Sequence, residues 1–210
     1  MKVGSRRVFQ ACLTAATFAA FCMWASAPAS AQRSAAGKDE TQISDQPGYQ
    51  PTPEAEQPAD QYQRQEVDFR TKEAPGTVII RTDERFLYVV LGVNRALRYG
   101  IGVGRDGFTW SGVANISRKE EWPDWRPPPR MIERQPFLPR FVAGGAGNPL
   151  GARAFYLGQT VFRIHGTNQP QTIGHAVSSG CFRMVNEDVI DLYERVPVGA
   201  KVIVKQSASL

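Results

Sequence analysis

Cysteine and histidine are scarce in this chain, at three and two among 210 residues. Cys12 and Cys22 fall in the first 31 residues, and Cys181 stands alone in the remainder. Cys181 with the two histidines makes a poor structural zinc set, which draws on about four such ligands, and a single cysteine after residue 31 leaves no framework of paired cysteines there. Acid is missing at the start, where Lys2, Arg6 and Arg7 are the charged residues of positions 1–31. Long apolar runs are missing too. The stretch Val8 to Trp24 is broken by Gln10 and Thr14 and falls short of the roughly 20 apolar residues of a membrane span. No nucleic-acid-binding motif is present, and neither a metal nor an organic cofactor is called for.

What stands at the start is a basic tip, a short apolar middle and Ala29-Ser30-Ala31 before Gln32. That order describes a secretory signal peptide over 1–31, cleaved near Ala31-Gln32. Ser5-Arg6-Arg7-Val8-Phe9 has the form of a twin-arginine export signal. Without the leader the net charge falls from +5 to +2. The remaining charge is uneven. Residues 32–70 hold four basic and eight acidic side chains, and residues 71–210 hold 18 and 12. A mildly basic domain suits a polyanionic surface or is simply solvated. Residues 32–73 are rich in Gln, Pro, Asp and Glu, as in Gln46-Pro47-Gly48-Tyr49-Gln50-Pro51, with little to bury, and read as a disordered acidic linker.

A folded domain is expected over 74–206, followed by a short tail at 207–210. Its first half reads as closely spaced strands: Thr77–Ile80, Phe86–Leu91, Ala96–Gly104 and Thr109–Ala114, with turns at Asp83-Glu84, Gly92-Val93-Asn94 and Asp106-Gly107. This pattern predicts a mostly β, sandwich- or barrel-like domain. Between Glu120 and Gly151 regularity fails, because Pro123 and Pro127-Pro128-Pro129 cannot donate to a strand ladder. Trp122 and Trp125 suggest that this stretch is an ordered loop over a cleft. Arg153–Leu157 and Thr160–Ile164 read as a hairpin. Asn186 to Val196 reads as the one clear helix, with Asn186 as N-cap and Val189, Leu192, Tyr193 and Val196 on one face. Lys201–Val204 is a last strand.

Both histidines, His165 and His175, lie within 16 residues of Cys181. A lone thiol in an exporting compartment is a buried inert side chain, half of an intermolecular disulfide, or a reactive group. An imidazole near a cysteine can take its proton and release the thiolate nucleophile. Ser178-Ser179-Gly180 can present backbone amides to an oxyanion.

The run His165-Gly166-Thr167, then Ser178-Ser179-Gly180-Cys181-Phe182-Arg183-Met184-Val185-Asn186, resembles the signature of the L,D-transpeptidase catalytic (YkuD) domain family. Asn148-Pro149-Leu150-Gly151 resembles an upstream turn of the same family. The resemblance covers roughly residues 75–206. It implies a β-sandwich-like domain with a helix after the nucleophile, acting on peptidoglycan peptide stems in the periplasm or cell envelope. Cys181 would be the nucleophile and His165 its base, held by the Gly166 carbonyl. The amides of Gly180 and Cys181 would form the oxyanion hole, and Arg183 would bind a stem carboxylate. Thr167, Ser179, Asn186 and Trp122 would line the substrate. Many relatives carry His where this chain has Ser179. His175 is expected at the substrate side or facing solvent. The implied reaction is acyl transfer from the third-position diaminopimelate to an amine of another stem or of an outer-membrane protein. Carbapenems would acylate the same thiol. A monomer is expected. The alternatives are an L,D-carboxypeptidase or other cysteine hydrolase, and a non-catalytic wall-binding module.

Overall fold

The structure, a computed structural model, describes residues 58–206. The expected leader, most of the expected linker and the tail at 207–210 lie outside the described residues. The strands are β1 (Gln65–Asp68), β2 (Val78–Arg81), β3 (Phe86–Gly92), β4 (Arg95–Gly100), β5 (Val103–Gly104), β6 (Gly112–Glu121), β7 (Arg153–Leu157), β8 (Arg163–His165), β9 (Ala176–Ser178), β10 (Phe182–Arg183) and β11 (Lys201–Lys205). The helices are α1 (Pro129–Arg134) and α2 (Asn186–Arg195). Nine strands follow one continuous order, β1-β4-β3-β2-β11-β6-β7-β8-β10, while β5 and β9 form a separate two-stranded ribbon.

Strand β6 joins the two halves of this order. Residues 112–115 pair with β11, and residues 116–121 pair with β7. The register slips between Ile116 and Arg118, a local irregularity of the kind that bends a strand. Strand β2, apolar over Val78-Ile79-Ile80, sits between antiparallel β3 and parallel β11, with apolar residues on both faces. Val78 and Ile80 enter the main core, whereas Ile79 joins Phe69, Tyr88, Val90 and Ala96 in a smaller cluster. On the far side of the main core, Phe155, Leu157, Ile164 and Phe182 meet Val189, Leu192 and Val196 from α2 and its C-terminal cap. Burial of each such side chain contributes about 1.5–3 kcal/mol.

Several boundaries differ from those read in the sequence. The expected strand Ala96–Gly104 divides into β4 and β5, because the chain leaves β4 to pair Gly102 with Arg183. The helix is capped by Val185, which makes no side-chain cap bond. Asn186, expected as N-cap, is the first helical residue. Its Oδ1 accepts from the Ala152 amide at 2.9 Å, and a methyl group on Gly166 would collide with that oxygen. Regular structure reaches Glu121, and the proline run that excludes a strand instead starts α1 with Pro129 at its N-terminus. Residues 122–151 carry an apolar cluster of Trp125, Leu138 and Leu150, packed by Met131, Ile132 and Val142. Asn148 fastens the end of this excursion, donating to the carbonyls of Val142 and Ala143 and accepting from the Leu150 amide.

The end of the expected linker also belongs to the domain. Strand β1 adds to the edge of β4, with Glu66 opposite Leu97 and an ion pair from Arg95 to Glu66 at 2.6 Å. Before it, Tyr62 packs on Phe86 and against Gly100 and Gly174. Arg64 reaches Asp191 at 3.1 Å and Asp188 at 3.7 Å on α2. The segment is polar in composition, and it is ordered by strand pairing and one aromatic side chain instead of by an apolar stripe. Gly174 has φ +88°, and a side chain there would meet the Tyr62 ring. Tyr62→Ala is expected to cost about 1–3 kcal/mol in chemical denaturation. Gly174→Ala should cost less in that background than in the wild type, by about 0.5–2 kcal/mol. Strict additivity of the two changes would count against this packing.

Candidate active site

Strands β8 and β10 run parallel, with Phe182 beside Ile164 and Arg183 beside His165. Side chains alternate between the two faces of a strand. Ile164 and Phe182 point into the core, so Arg163, His165 and Arg183 take the opposite face. Continuing the register by one residue brings Cys181 level with Arg163. The four residues therefore form a two-by-two array, Arg163 with Cys181 and His165 with Arg183. Adjacent strands lie about 4.8 Å apart, and alternate residues about 6.6 Å apart along a strand. Cys181 and His165 occupy one diagonal of the array. All four side chains line one cleft of about 80 Å³, roofed by Trp125, Pro128, Met131, Pro149 and Leu150.

The turn carrying Cys181 is held at both ends. Ahead of it, β9 pairs with β5, and the Arg105 amide donates to the Ser178 carbonyl at 3.0 Å. Behind it, Arg183 exchanges two backbone hydrogen bonds with Gly102, each 2.9 Å, and the Met184 amide donates to His165. Within the turn, Ser178 Oγ donates to the Cys181 carbonyl at 2.6 Å and accepts from the Gly180 amide at 3.1 Å. Cys181 is half-buried and is not part of a disulfide.

His165 Nδ1 lies 2.6 Å from the carbonyl oxygen of Gly166. A carbonyl only accepts, so Nδ1 carries the proton and Nε2 keeps its lone pair. His165 is buried, and its pKa is pushed down to about 3, chiefly by loss of solvent and next by the Arg183 guanidinium, with Arg163 adding to the effect. The Gly166 hydrogen bond opposes the shift. The resting imidazole is therefore neutral, with Nε2 as its unprotonated nitrogen.

The other expected site residues divide. Ser179 lines the cleft and also a wider groove of about 690 Å³ that runs beside it past Phe108, Arg130 and Arg134. Thr167 is buried away from the cleft lining, and its Oγ1 accepts from the Gln169 amide at 3.0 Å, which shapes the turn after His165. Asn186 braces Ala152, as described. Gly166 supplies the carbonyl for His165. The Gly180 amide, expected at the oxyanion, is engaged by Ser178 Oγ. Of the two tryptophans, Trp122 turns outward at 45% exposure, whereas Trp125, at 6%, faces the cleft. His175 is exposed and lies outside the cleft lining. Sequence reasoning did not place Arg163 at the site, and it read Ser178 only for its backbone, whereas its Oγ holds the turn. The two-residue spacing of Arg163 from His165 on a strand was the available signal.

Residues 75–204 match the L,D-transpeptidase catalytic domain (YkuD) family. The chain belongs to that family. It is similar to the Probable L,D-transpeptidase ErfK/SrfK of Escherichia coli K12, with 37% identity over 60% of this chain and 43% of that protein. It is also similar to the Probable L,D-transpeptidase YbiS of the same strain, with 38% identity over the same shares. The chain thus spans less than half the length of these curated relatives. Among solved structures, the Ldtfm-avibactam carbamoyl enzyme superposes with a TM-score of 0.52 at 18% identity, over 64% of this chain and 50% of that one, a likeness of fold. A Brucella melitensis protein described as a probable carnitine operon oxidoreductase is 51% identical over 69% of this chain and 94% of that one, with a TM-score of 0.47.

The array makes a prediction about stability in this L,D-transpeptidase domain. Unfolded, His165 takes a proton near pH 6.5; folded, it resists down to about pH 3. Between these limits the unfolded chain binds more protons, so the contribution of His165 to stability falls as pH falls. Thermal melts of wild type and His165→Gln at pH 7 and pH 4 should show the wild type losing more on acidification. A gap between the two proteins that stays constant over this range would contradict a buried, neutral imidazole.

Proposed function

We propose that this domain is a peptidoglycan L,D-transpeptidase in which Cys181 is the nucleophile and His165 the general base and acid. The observation that carries this reading is the cleft shared by the Cys181 and His165 side chains, with Nε2 of His165 left as the acceptor. Cys181 Sγ attacks the carbonyl carbon of the third-position diaminopimelate in a tetrapeptide stem while its proton passes to Nε2. The bond to the terminal D-alanine breaks, and the imidazolium protonates the leaving amine. This leaves an acyl thioester on Cys181 and a neutral His165.

In the second half an acceptor amine attacks the thioester. Its proton goes to Nε2, the sulfur leaves, and the proton returns to it. An amine from a second stem yields a 3→3 cross-link, and an amine from an outer-membrane protein yields anchoring. The groove beside the cleft supports approach of a bulky amine, since it meets the cleft at Ser179 and Phe162. The oxyanion of each tetrahedral intermediate is assigned to backbone amides of the turn that carries Cys181, where Ser178 Oγ fixes the Gly180 amide. Arg183, opposite His165 on the neighbouring strand, suits a carboxylate of the stem. The substrate lies outside the cytoplasmic membrane, in agreement with the basic and apolar start of the chain.

Intact-protein mass spectrometry after exposure to a carbapenem should show a single covalent adduct, located on Cys181 and lost in Cys181→Ala. Muropeptides incubated with the enzyme should yield diaminopimelate–diaminopimelate dimers. A product consisting only of shortened stems would assign water as the acceptor and a carboxypeptidase activity.

A further inference from the structure

Arg163 stands apart from the other arginines with a sheltered Nε. The Nε atoms of Arg85, Arg98, Arg153 and Arg163 are all buried without a hydrogen-bond partner. The first three have compensation at the guanidinium tip. Arg85 donates to Asp83, Arg98 to Gln61, and Arg153 to Ala152, with an ion pair to Glu121. Among the described residues, no carboxylate lies within ion-pair distance of Arg163, and its guanidinium makes no hydrogen bond to protein. Its guanidinium carbon lies 5.1 Å from the centroid of the Tyr156 ring. A half-buried guanidinium without an anion is costly, and its planar fork suits a carboxylate. This one opens into the cleft that holds Cys181.

The array also gives Arg163 a side of the reaction. His165 must reach the leaving amine to protonate it, so the departing D-alanine lies at the His165–Arg183 end. The acyl part, which stays on sulfur, then lies at the Cys181–Arg163 end. We infer that Arg163 is a second carboxylate-binding residue of the cleft, taking the side-chain carboxylate of the diaminopimelate whose carbonyl is attacked. The inference rests on the acyl-transfer reading above. It makes Arg163 a specificity residue that distinguishes a free from an amidated diaminopimelate. No bond to the guanidinium forms or breaks during the reaction.

The test uses two tetrapeptide donors that differ only at that carboxylate, one free and one a carboxamide. D-alanine release is measured for wild type, Arg163→Gln and Arg163→Lys. Wild type should prefer the free acid in kcat/KM by roughly ten- to a hundredfold, the range of a charge-assisted hydrogen bond. The preference should be expressed largely in KM. In Arg163→Gln the ratio should collapse to about one, and Arg163→Lys should keep part of it. A merely structural arginine would lower both rates together and leave the ratio intact. An unchanged ratio in Arg163→Gln, or no preference in wild type, overturns the inference. If Arg163→Gln does not fold, as judged by its melting curve, an unchanged ratio in Arg163→Lys overturns it instead. Failure of the underlying reading looks different: no thioester on Cys181 in the wild type with either donor, by intact mass.

Discussion

The short parallel pairing of β8 with β10 is the constraint on which the site depends. Its registered residues Ile164 and Phe182 are anchored in the main core, and that anchoring dictates where their neighbours go. A slip by one residue would send His165 inward and Ile164 into the cleft, since faces alternate strictly along a strand. The diagonal of Cys181 and His165 is thus held in register by apolar burial one residue away. The Gly102 backbone clamps the other side of Arg183, so the pairing has no free edge at that point.

Electrostatics in this cleft act on His165 from one direction. Two guanidiniums and exclusion from solvent all oppose an imidazolium, and only the Gly166 carbonyl favours it. A base of this kind takes a proton readily only when negative charge develops next to it. In the acyl-transfer reading that charge is the sulfur or the departing amine, so proton movement is coupled to the bond changes. The same guanidiniums that disfavour a charged base favour carboxylates on the substrate. One set of charges can therefore serve recognition and hold the base in its neutral form.

Much of the fold was legible because local rules and tertiary context agreed. The β-branched runs at 78–80 and 202–204, the hairpin around 158–162 and the apolar face of α2 all satisfy propensity and burial together. The disagreements arose where tertiary pairing overrode composition. Gln65–Asp68 looks like solvated linker and becomes an edge strand because β4 offers an open ladder. Strands β9 and β10 have three and two residues, too short for any periodic signal. At the site, Cys181, His165 and Arg183 were readable from their spacing and family resemblance. Thr167 and Asn186 share the same motif yet bind backbone amides, because polar groups buried beside the chemistry must themselves be satisfied. The exchange of Trp122 for Trp125 reflects a positive φ of 43° at Trp122, a backbone state that composition does not announce.

The roof of the cleft leaves and rejoins the sheet at one place. Glu121 and Arg153 are register partners, so residues 122–152 begin and end on adjacent strands. The excursion has its own apolar nucleus. Because closure entropy rises only slowly with loop length, a longer or shorter roof would leave the paired strands beneath undisturbed. The floor of the cleft, set in the sheet, and the surface that covers it can accordingly diverge independently, so under the acyl-transfer reading new acceptor preferences could arise by exchanging one cassette above an unchanged pair of strands.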